Sequence, residues 1–137
     1  MFESSTQIRI HYALTDQMGF VYYGNYAQFF EIGRVEAFRS LGFSYKSVEE
    51  MGIIMPVVEF TNKYLRPVKY DELITVKTII KELPEHHKIH FFGEVYNEAG
   101  ELCTTAHVLL FMMEKASMRR TKMPEEMLEK LRPFFDS

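Results

Sequence analysis

Residues 15–25 contain a carboxylate and, shortly after it, a glycine that directly precedes an apolar helical pattern. Asp16 lies in the polar stretch 15–19, and a carboxylate can attack an activated carbonyl as a nucleophile or serve as a general base on water. Gly24-Asn25 precedes the helical pattern, and free N–H groups at the start of a helix can hold an oxyanion. Spacing alone leaves two interpretations open, because Asp is common in turns and Asn is common at helix starts.

Hydrophobic periodicity indicates which elements position these residues. Residues 7–12 alternate polar and apolar side chains, which predicts a half-buried strand. From about residue 25 to residue 41, apolar side chains recur every three or four positions, which predicts a long helix that Gly42 ends. A short second helix is predicted over residues 44–51.

Four strand patterns and a closing helix follow this pair of helices. The predicted strands are 53–66, 73–81, 89–97 and 102–113, followed by a basic loop at 115–122 and a helix that Pro124 opens. Successive strands joined by turns favour an antiparallel sheet. The chain is therefore predicted to be an α+β protein, one domain over residues 1–137, with a curved antiparallel sheet wrapped around the long helix.

Composition excludes several classes of protein. The 137 residues are 47% hydrophobic, with 12 Phe and 8 Tyr, which favours a folded core. The net charge of -3 argues against nucleic-acid binding. Cys103 is the only cysteine and the five histidines follow no metal-ligand spacing, so neither a metal nor another cofactor is expected. Without a signal-like or membrane-spanning apolar run, a cytoplasmic protein is expected.

Two motifs together resemble the 4-hydroxybenzoyl-CoA thioesterase family of hotdog proteins. Residues 12–26 contain the family's Asp-bearing turn and its Val-Tyr-x-x-Asn-Tyr run, and residues 30–34 contain its Phe-Glu-x-x-Arg helix motif. The predicted order of elements also matches the hotdog fold over nearly the whole chain. The resemblance implies hydrolysis of acyl-CoA thioesters, no metal, and a homodimer or homotetramer with its sites at the subunit interface.

The resemblance also implies individual roles. It places the catalytic carboxylate on Asp16 and the oxyanion donor on the backbone N–H of Tyr23, with Gly24 beside it. Many relatives carry His where this chain has Tyr23, whereas the 4-hydroxybenzoyl-CoA thioesterase proper resembles this chain there. A mechanism that needs an imidazole at this position is therefore not expected.

Further residues are candidates for substrate binding. Glu59 and Thr61 share a strand face and either line the substrate pocket or face solvent. Glu31 and Arg34 lie one helical turn apart and are expected to form an ion pair that orients the helix or polarises the site. Basic side chains suit the phosphates of CoA, and the candidates are Lys63, Arg66, Lys88, Arg119 and Arg120.

Two other functions remain open on the sequence. The basic loop 115–122 would suit the acidic surface of an acyl carrier protein, which makes a carrier-protein thioesterase the closest alternative. A non-catalytic acyl-binding or scaffolding protein is the second alternative, because a fold alone does not determine chemistry.

Overall fold

Five long antiparallel strands and one long helix form the framework of the chain, in a computed structural model that describes residues 1–136. The strands are β1 (Phe2–Arg9), β2 (Ile53–Ile54), β3 (Val57–Tyr64), β4 (Leu73–Ile80), β5 (Lys88–Tyr96), β6 (Leu102–Phe111) and β7 (Met113–Glu114). The helices are α1 (Tyr26–Ser40), α2 (Tyr45–Glu50) and α3 (Glu125–Leu131). Short 3-10 turns cover Tyr12–Leu14, Tyr23–Asn25 and Arg132–Phe134.

The main sheet has the strand order β1-β4-β5-β6-β3, and α1 packs against one of its faces. Phe29, Phe30 and Phe38 of α1 are buried against this face. Two glycines allow the close approach of helix and sheet: a Cβ atom at Gly93 would collide with the ring of Phe30, and one at Gly33 would lie 2.5 Å from the hydroxyl of Thr78. The predicted α+β architecture, with a sheet around one long helix, is confirmed.

Local signals begin or end the three helices where the sequence predicts. Gly42 follows α1 with a φ of 95°, a conformation that glycine adopts without strain. Ser44 caps α2, because its hydroxyl accepts the N–H of Ser47 while the Ser47 hydroxyl accepts the N–H of Ser44. Pro124 directly precedes α3, and Glu125 and Glu126 in its first turn suit the positive end of the helix dipole.

Three predicted boundaries are wrong. The first strand runs from Phe2 to Arg9 rather than over residues 7–12, because its whole length pairs with β4. The predicted strand 53–66 is two strands with different partners, since β2 pairs with β7 and β3 pairs with β6 on either side of Pro56, which has no N–H to donate. The predicted strand 102–113 likewise ends at Phe111, and Met113 begins the separate strand β7.

The helices of the structure, over residues 1–136, include none with the length and apolar character needed to cross a membrane. The longest, α1, has 15 residues.

Candidate functional site

Asp16 lies in a tight turn of a small hairpin that leads directly into the start of the long helix. Thr15 and Val21 pair across this hairpin, and Gly19 takes a φ of 80° at its tip. The Asp16 carboxylate accepts two backbone N–H groups on the same oxygen, Oδ1, at 2.8 Å from Met18 and 3.3 Å from Phe20. The second oxygen, Oδ2, accepts no hydrogen bond from residues 1–136, so one carboxylate oxygen is oriented and unoccupied.

The start of the helix is tied to this hairpin by two hydrogen bonds to one carbonyl. The Tyr22 N–H and the Asn25 side-chain amide both donate to the Leu14 carbonyl at 2.9 Å. The first hydrogen bond of the 3-10 turn runs from the Asn25 N–H to the Tyr22 carbonyl. The N–H groups of Tyr23 and Gly24 come before it and have no acceptor in the turn, which is the arrangement that can hold an oxyanion.

Aromatic side chains form a cleft beside these groups. The Tyr64 hydroxyl donates to the Tyr23 carbonyl at 3.1 Å, and the Tyr26 and Tyr64 rings meet edge to face with centroids 5.1 Å apart. The cleft has a volume of about 380 Å³ and is lined by Asp16, Met18, Phe20, Val21, Tyr23, Tyr26, Tyr64, Leu65, Arg66 and Pro67. Asp16 therefore faces an open, largely apolar space at the start of the helix.

Burial makes two phenols of this cleft harder to deprotonate. It raises the pKa of Tyr26 to about 12, against a weaker opposing effect of the Thr104 hydroxyl. Burial, followed by the neighbouring Tyr23, also raises the pKa of Tyr64. Both hydroxyls therefore act as hydrogen-bond donors rather than as bases.

The structure places the predicted strand residues in two different settings. Arg66 lines the Asp16 cleft and also forms an exposed ion pair with Glu101, with 3.3 Å between Nη1 and Oε2. Glu59, Thr61 and Lys63 pair with outward-facing positions of β6 and lie on the face of β3 turned away from α1. Within one chain they do not reach the Asp16 cleft.

A second cavity, of about 890 Å³, lies at the other end of the sheet and carries basic side chains. Lys81, His86, His87, Lys88 and His90 are among its lining residues. Arg120 lies beside it, with its guanidinium carbon 4.9 Å from the centre of the Phe111 ring, which the His87 ring also contacts. Burial lowers the pKa of His87, and the charges of Arg120, Lys88 and His86 lower it further.

This basic end of the sheet, called the cationic cluster below, consists of Lys88 and Arg120, and His87, whose lowered pKa disfavours its charged form, lies beside them. Lys88 and Arg120 form no ion pair among residues 1–136, so both remain available to an anion. Arg119 is exposed and adjacent in sequence, but it does not line the cavity. The structure thus brings two of the five predicted basic residues together here and a third, Arg66, to the Asp16 cleft.

The predicted ion pair between Glu31 and Arg34 is absent. The described ion pairs do not include it, and the Nε atom of Arg34 is buried without a hydrogen-bond partner in the chain. Glu31 is exposed, whereas Arg34 turns toward the sheet, with its guanidinium carbon 5.9 Å from the centre of the Phe91 ring. The two side chains therefore leave the helix in different directions.

Tyr26 and Tyr64 are site residues that the sequence prediction missed. Tyr26 belongs to the apolar helix pattern and ends the family's motif run, and neither feature indicates that its side chain lines the cleft. Tyr64 sits 48 positions after Asp16, and the strand alternation carried no sign that its hydroxyl would reach the Tyr23 carbonyl. Across residues 1–136, no three His, Cys, Asp or Glu side chains are grouped so that they could hold a metal ion.

Comparison with known proteins identifies the family. The model of the thioesterase-like superfamily matches residues 10–131, which span the Asp16 turn, α1 and four of the five long strands, all but β1. The chain belongs to this superfamily. The predicted family, with its hotdog fold, is confirmed.

Several thioesterases are similar to this chain over most of their length. "Putative acyl-CoA thioesterase YneP" of Bacillus subtilis is 37% identical over 111 residues, covering 79% of this chain and 80% of the relative. The acyl-CoA thioester hydrolase YbgC of Escherichia coli O6:H1 is 25% identical over 121 residues, covering 88% of this chain and 90% of the relative. The crystal structure of a DHNA-CoA thioesterase from Staphylococcus aureus superposes with a TM-score of 0.88 at 33% identity, covering 98% of this chain and 94% of that one.

Proposed function

We propose that this chain hydrolyses acyl-CoA thioesters, with Asp16 delivering the attack and the backbone N–H groups of Tyr23 and Gly24 receiving the negative charge. The observation that carries the proposal is that Asp16 and Tyr23 line one cleft, with Gly24 next to Tyr23 in the chain. Asp16 offers a carboxylate oxygen with no hydrogen-bond partner in the described chain. The helix start offers two N–H groups without acceptors. The superfamily supplies relatives whose names give this chemistry.

The chemistry balances in either of two forms. As a nucleophile, Asp16 Oδ2 bonds to the thioester carbon, the carbonyl electrons move onto oxygen, and their return expels the CoA thiolate and leaves an anhydride that water hydrolyses. As a general base, Asp16 takes a proton from water while the water oxygen bonds to the same carbon, and collapse of the resulting oxyanion breaks the C–S bond and expels the CoA thiolate, to which the proton on Asp16 is returned. In both forms the oxyanion is held by the N–H groups of Tyr23 and Gly24. Capture of an anhydride with hydroxylamine would select the first.

The proposed enzyme works as at least a dimer that joins through the edge strand β3. This edge carries exposed apolar side chains, with Val57 at 49%, Val58 at 47%, Phe60 at 40% and Tyr64 at 49% exposure. A long apolar edge strand is a surface that natural proteins cover. A second copy related by a two-fold axis would pair antiparallel with it and extend the sheet.

This arrangement gives the cationic cluster a role in binding CoA. Phe111 and Lys88 lie at the Val57 end of β3, whereas Tyr64 lies at the Asp16 end, about 25 Å away along an eight-residue strand. Antiparallel pairing of two β3 strands would place the cluster of one copy next to the Asp16 cleft of the other. We assign the CoA phosphates to Lys88 and Arg120 of one copy, with Arg66 at the cleft of the other.

The test is hydrolysis of short, medium, long and aromatic acyl-CoA esters by the wild type and by Asp16→Asn. The variant is expected to lose about 100- to 10,000-fold in kcat, the range for removal of a positioned acid or base. Asp136→Asn changes an exposed carboxylate outside the cleft and should retain wild-type kcat. Full activity of Asp16→Asn would overturn the assignment of Asp16.

Acyl carrier protein thioesters belong in the same panel. Hydrolysis of these alone, with no CoA ester turned over, would replace CoA by the carrier protein as the partner. Turnover of neither class would leave an acyl-binding protein without this chemistry.

A further inference from the structure

The Tyr23 carbonyl accepts a hydrogen bond from a residue 41 positions further along the chain. The donor is the Tyr64 hydroxyl of β3, at 3.1 Å. The two tyrosine rings also meet edge to face, with centroids 6.4 Å apart. Burial, followed by the neighbouring Tyr23, raises the pKa of Tyr64, so its hydroxyl keeps the proton that it donates. One directional side-chain bond therefore links the edge strand to the backbone at the start of the helix.

The peptide group that receives this bond lies in the middle of a four-residue turn. The Asn25 N–H donates to the Tyr22 carbonyl at 2.9 Å, so the peptide between Tyr23 and Gly24 is the central one. Gly24 is not among the glycines with positive φ, and the 3-10 conformation of these residues is that of a type I turn. The Gly24 N–H therefore points out of the N-terminal end of the helix, as the first N–H groups of a helix do.

The glycine in this turn makes a second conformation accessible. A flip of the central peptide converts a type I turn into a type II turn, whose third residue needs a positive φ that glycine adopts readily. The flip exchanges the directions of the Tyr23 carbonyl and the Gly24 N–H. The carbonyl oxygen would then face the oxyanion and repel it. Because hydrogen bonds within a 3-10 turn are poorly aligned, the turn alone resists this flip only weakly.

We propose that Tyr64 is a positioning residue, which holds the peptide between Tyr23 and Gly24 with its N–H directed at the oxyanion. The flip would break the hydrogen bond from the Tyr64 hydroxyl. That bond should therefore favour the type I turn by about three- to tenfold, the usual effect of one hydrogen bond on an equilibrium. The inference rests on the proposed role of this turn in thioester hydrolysis. It does not require that Tyr64 touch the substrate.

The test is a double-mutant cycle between Tyr64→Phe and Gly24→Ala. Tyr64→Phe removes only the hydroxyl, and its kcat should fall about three- to tenfold while KM for acyl-CoA stays within about twofold. Gly24→Ala disfavours the positive φ of the flipped turn. In the Gly24→Ala background, Tyr64→Phe should therefore change kcat by less than about twofold. A direct contact between Tyr64 and substrate would instead lower kcat by the same factor in both backgrounds.

Tyr96→Phe is the matched control for the loss of a hydroxyl. The Tyr96 hydroxyl also donates within the chain, to Glu94 at 2.9 Å, and Tyr96 does not line the Asp16 cleft. Tyr96→Phe should keep the wild-type kcat, and calorimetry should give both Phe variants a Tm within about 2 °C of the wild type. An equal loss of kcat from Tyr64→Phe in both backgrounds, or no loss in either, would overturn the inference.

Crystal structures of the variants decide the inference without any activity. In Tyr64→Phe, Gly24 should have a positive φ in all or part of the molecules, whereas Gly24→Ala/Tyr64→Phe should keep the type I turn. A single type I turn in Tyr64→Phe would overturn the inference even if the wild type is an active thioesterase. A wild type that hydrolyses no thioester would overturn the proposed function, and the φ of Gly24 would still show whether Tyr64 holds this turn.

Discussion

The Tyr26 phenol ties the stability of the cleft to pH in the alkaline range. Its residue is 3% exposed, and burial raises its pKa from 10.0 to about 12. The folded chain therefore keeps this proton to higher pH than the unfolded chain does. The stability that Tyr26 contributes is fully present below pH 10.0 and is lost as the pH rises through about 12.

The free energy of unfolding of the wild type should accordingly fall between about pH 10 and pH 12, with up to about 2 kcal/mol of the fall due to Tyr26. Tyr26→Phe should show a shallower decline, because Phe has no proton to lose. Urea unfolding at a series of pH values measures the free energy of unfolding of both proteins. Tyr12→Phe, at a residue that is 78% exposed, should keep the wild-type slope; identical slopes for all three proteins would contradict the prediction.

At the residue scale, the sequence predicts chemistry that local motifs carry and misses chemistry that the tertiary fold assembles. The family motif brings Asp16, Tyr23 and Gly24 close together in sequence; in the structure Asp16 and Tyr23 line one cleft, and Gly24 follows Tyr23. Tyr64 was missed because it reaches the site from β3, whose residues are mostly exposed on both faces. Alternation in such a strand gives no sign of which face matters.

At the element scale, Gly93, which lies under α1, and Gly24, which lies at the start of the helix, should respond differently to an added methyl group. In Gly93→Ala the new Cβ would meet the Phe30 ring inside the core, and this overpacking should lower the Tm by about 5–10 °C. In Gly24→Ala the new Cβ would meet only the Tyr22 ring, at 2.7 Å, and that ring is 48% exposed and can move.

Gly24→Ala should therefore keep its Tm within about 2 °C of the wild type, while its kcat/KM falls by roughly tenfold because a methyl group crowds the oxyanion site. Calorimetry and steady-state kinetics on both variants give the comparison. A large loss of Tm in Gly24→Ala, or none in Gly93→Ala, would show that the helix packs differently.

Element types were predictable because the period of the apolar pattern changes cleanly from helix to strand. The predicted strand boundaries are wrong where the side chains show no clear alternation of polar and apolar residues. The Ser4-Ser5-Thr6 stretch of β1 is polar, yet every residue of that strand pairs with β4. Pro56 divides one continuous apolar stretch into β2 and β3, and only the pairing partners show that the halves belong to different sheets.

At the scale of the whole molecule, the proposed site takes Asp16 from one copy and the cationic cluster from the other. The double variant Lys88→Gln/Arg120→Gln should raise KM for acyl-CoA by about 10-fold or more, with kcat little changed, because it removes phosphate contacts only. Lys130→Gln, at an exposed cation of α3 that lines neither cavity, is the matched control.

Mixing this double variant with Asp16→Asn tests whether the site is shared. Each mixed dimer would hold one complete site, so the equimolar mixture should recover about a quarter of the wild-type kcat/KM, since half of the dimers are mixed. If both groups came from the same chain, mixing would restore nothing.

The Tyr64 hydroxyl donates a hydrogen bond of 3.1 Å to the Tyr23 carbonyl. This bond links the edge strand β3 to the turn that would hold the oxyanion. Tyr64 belongs to β3, the strand that a second copy would cover, so assembly would stiffen the same strand that steadies this turn. Dilution would then dissociate the dimer and lower turnover. Specific activity would report the fraction of the enzyme that is dimeric.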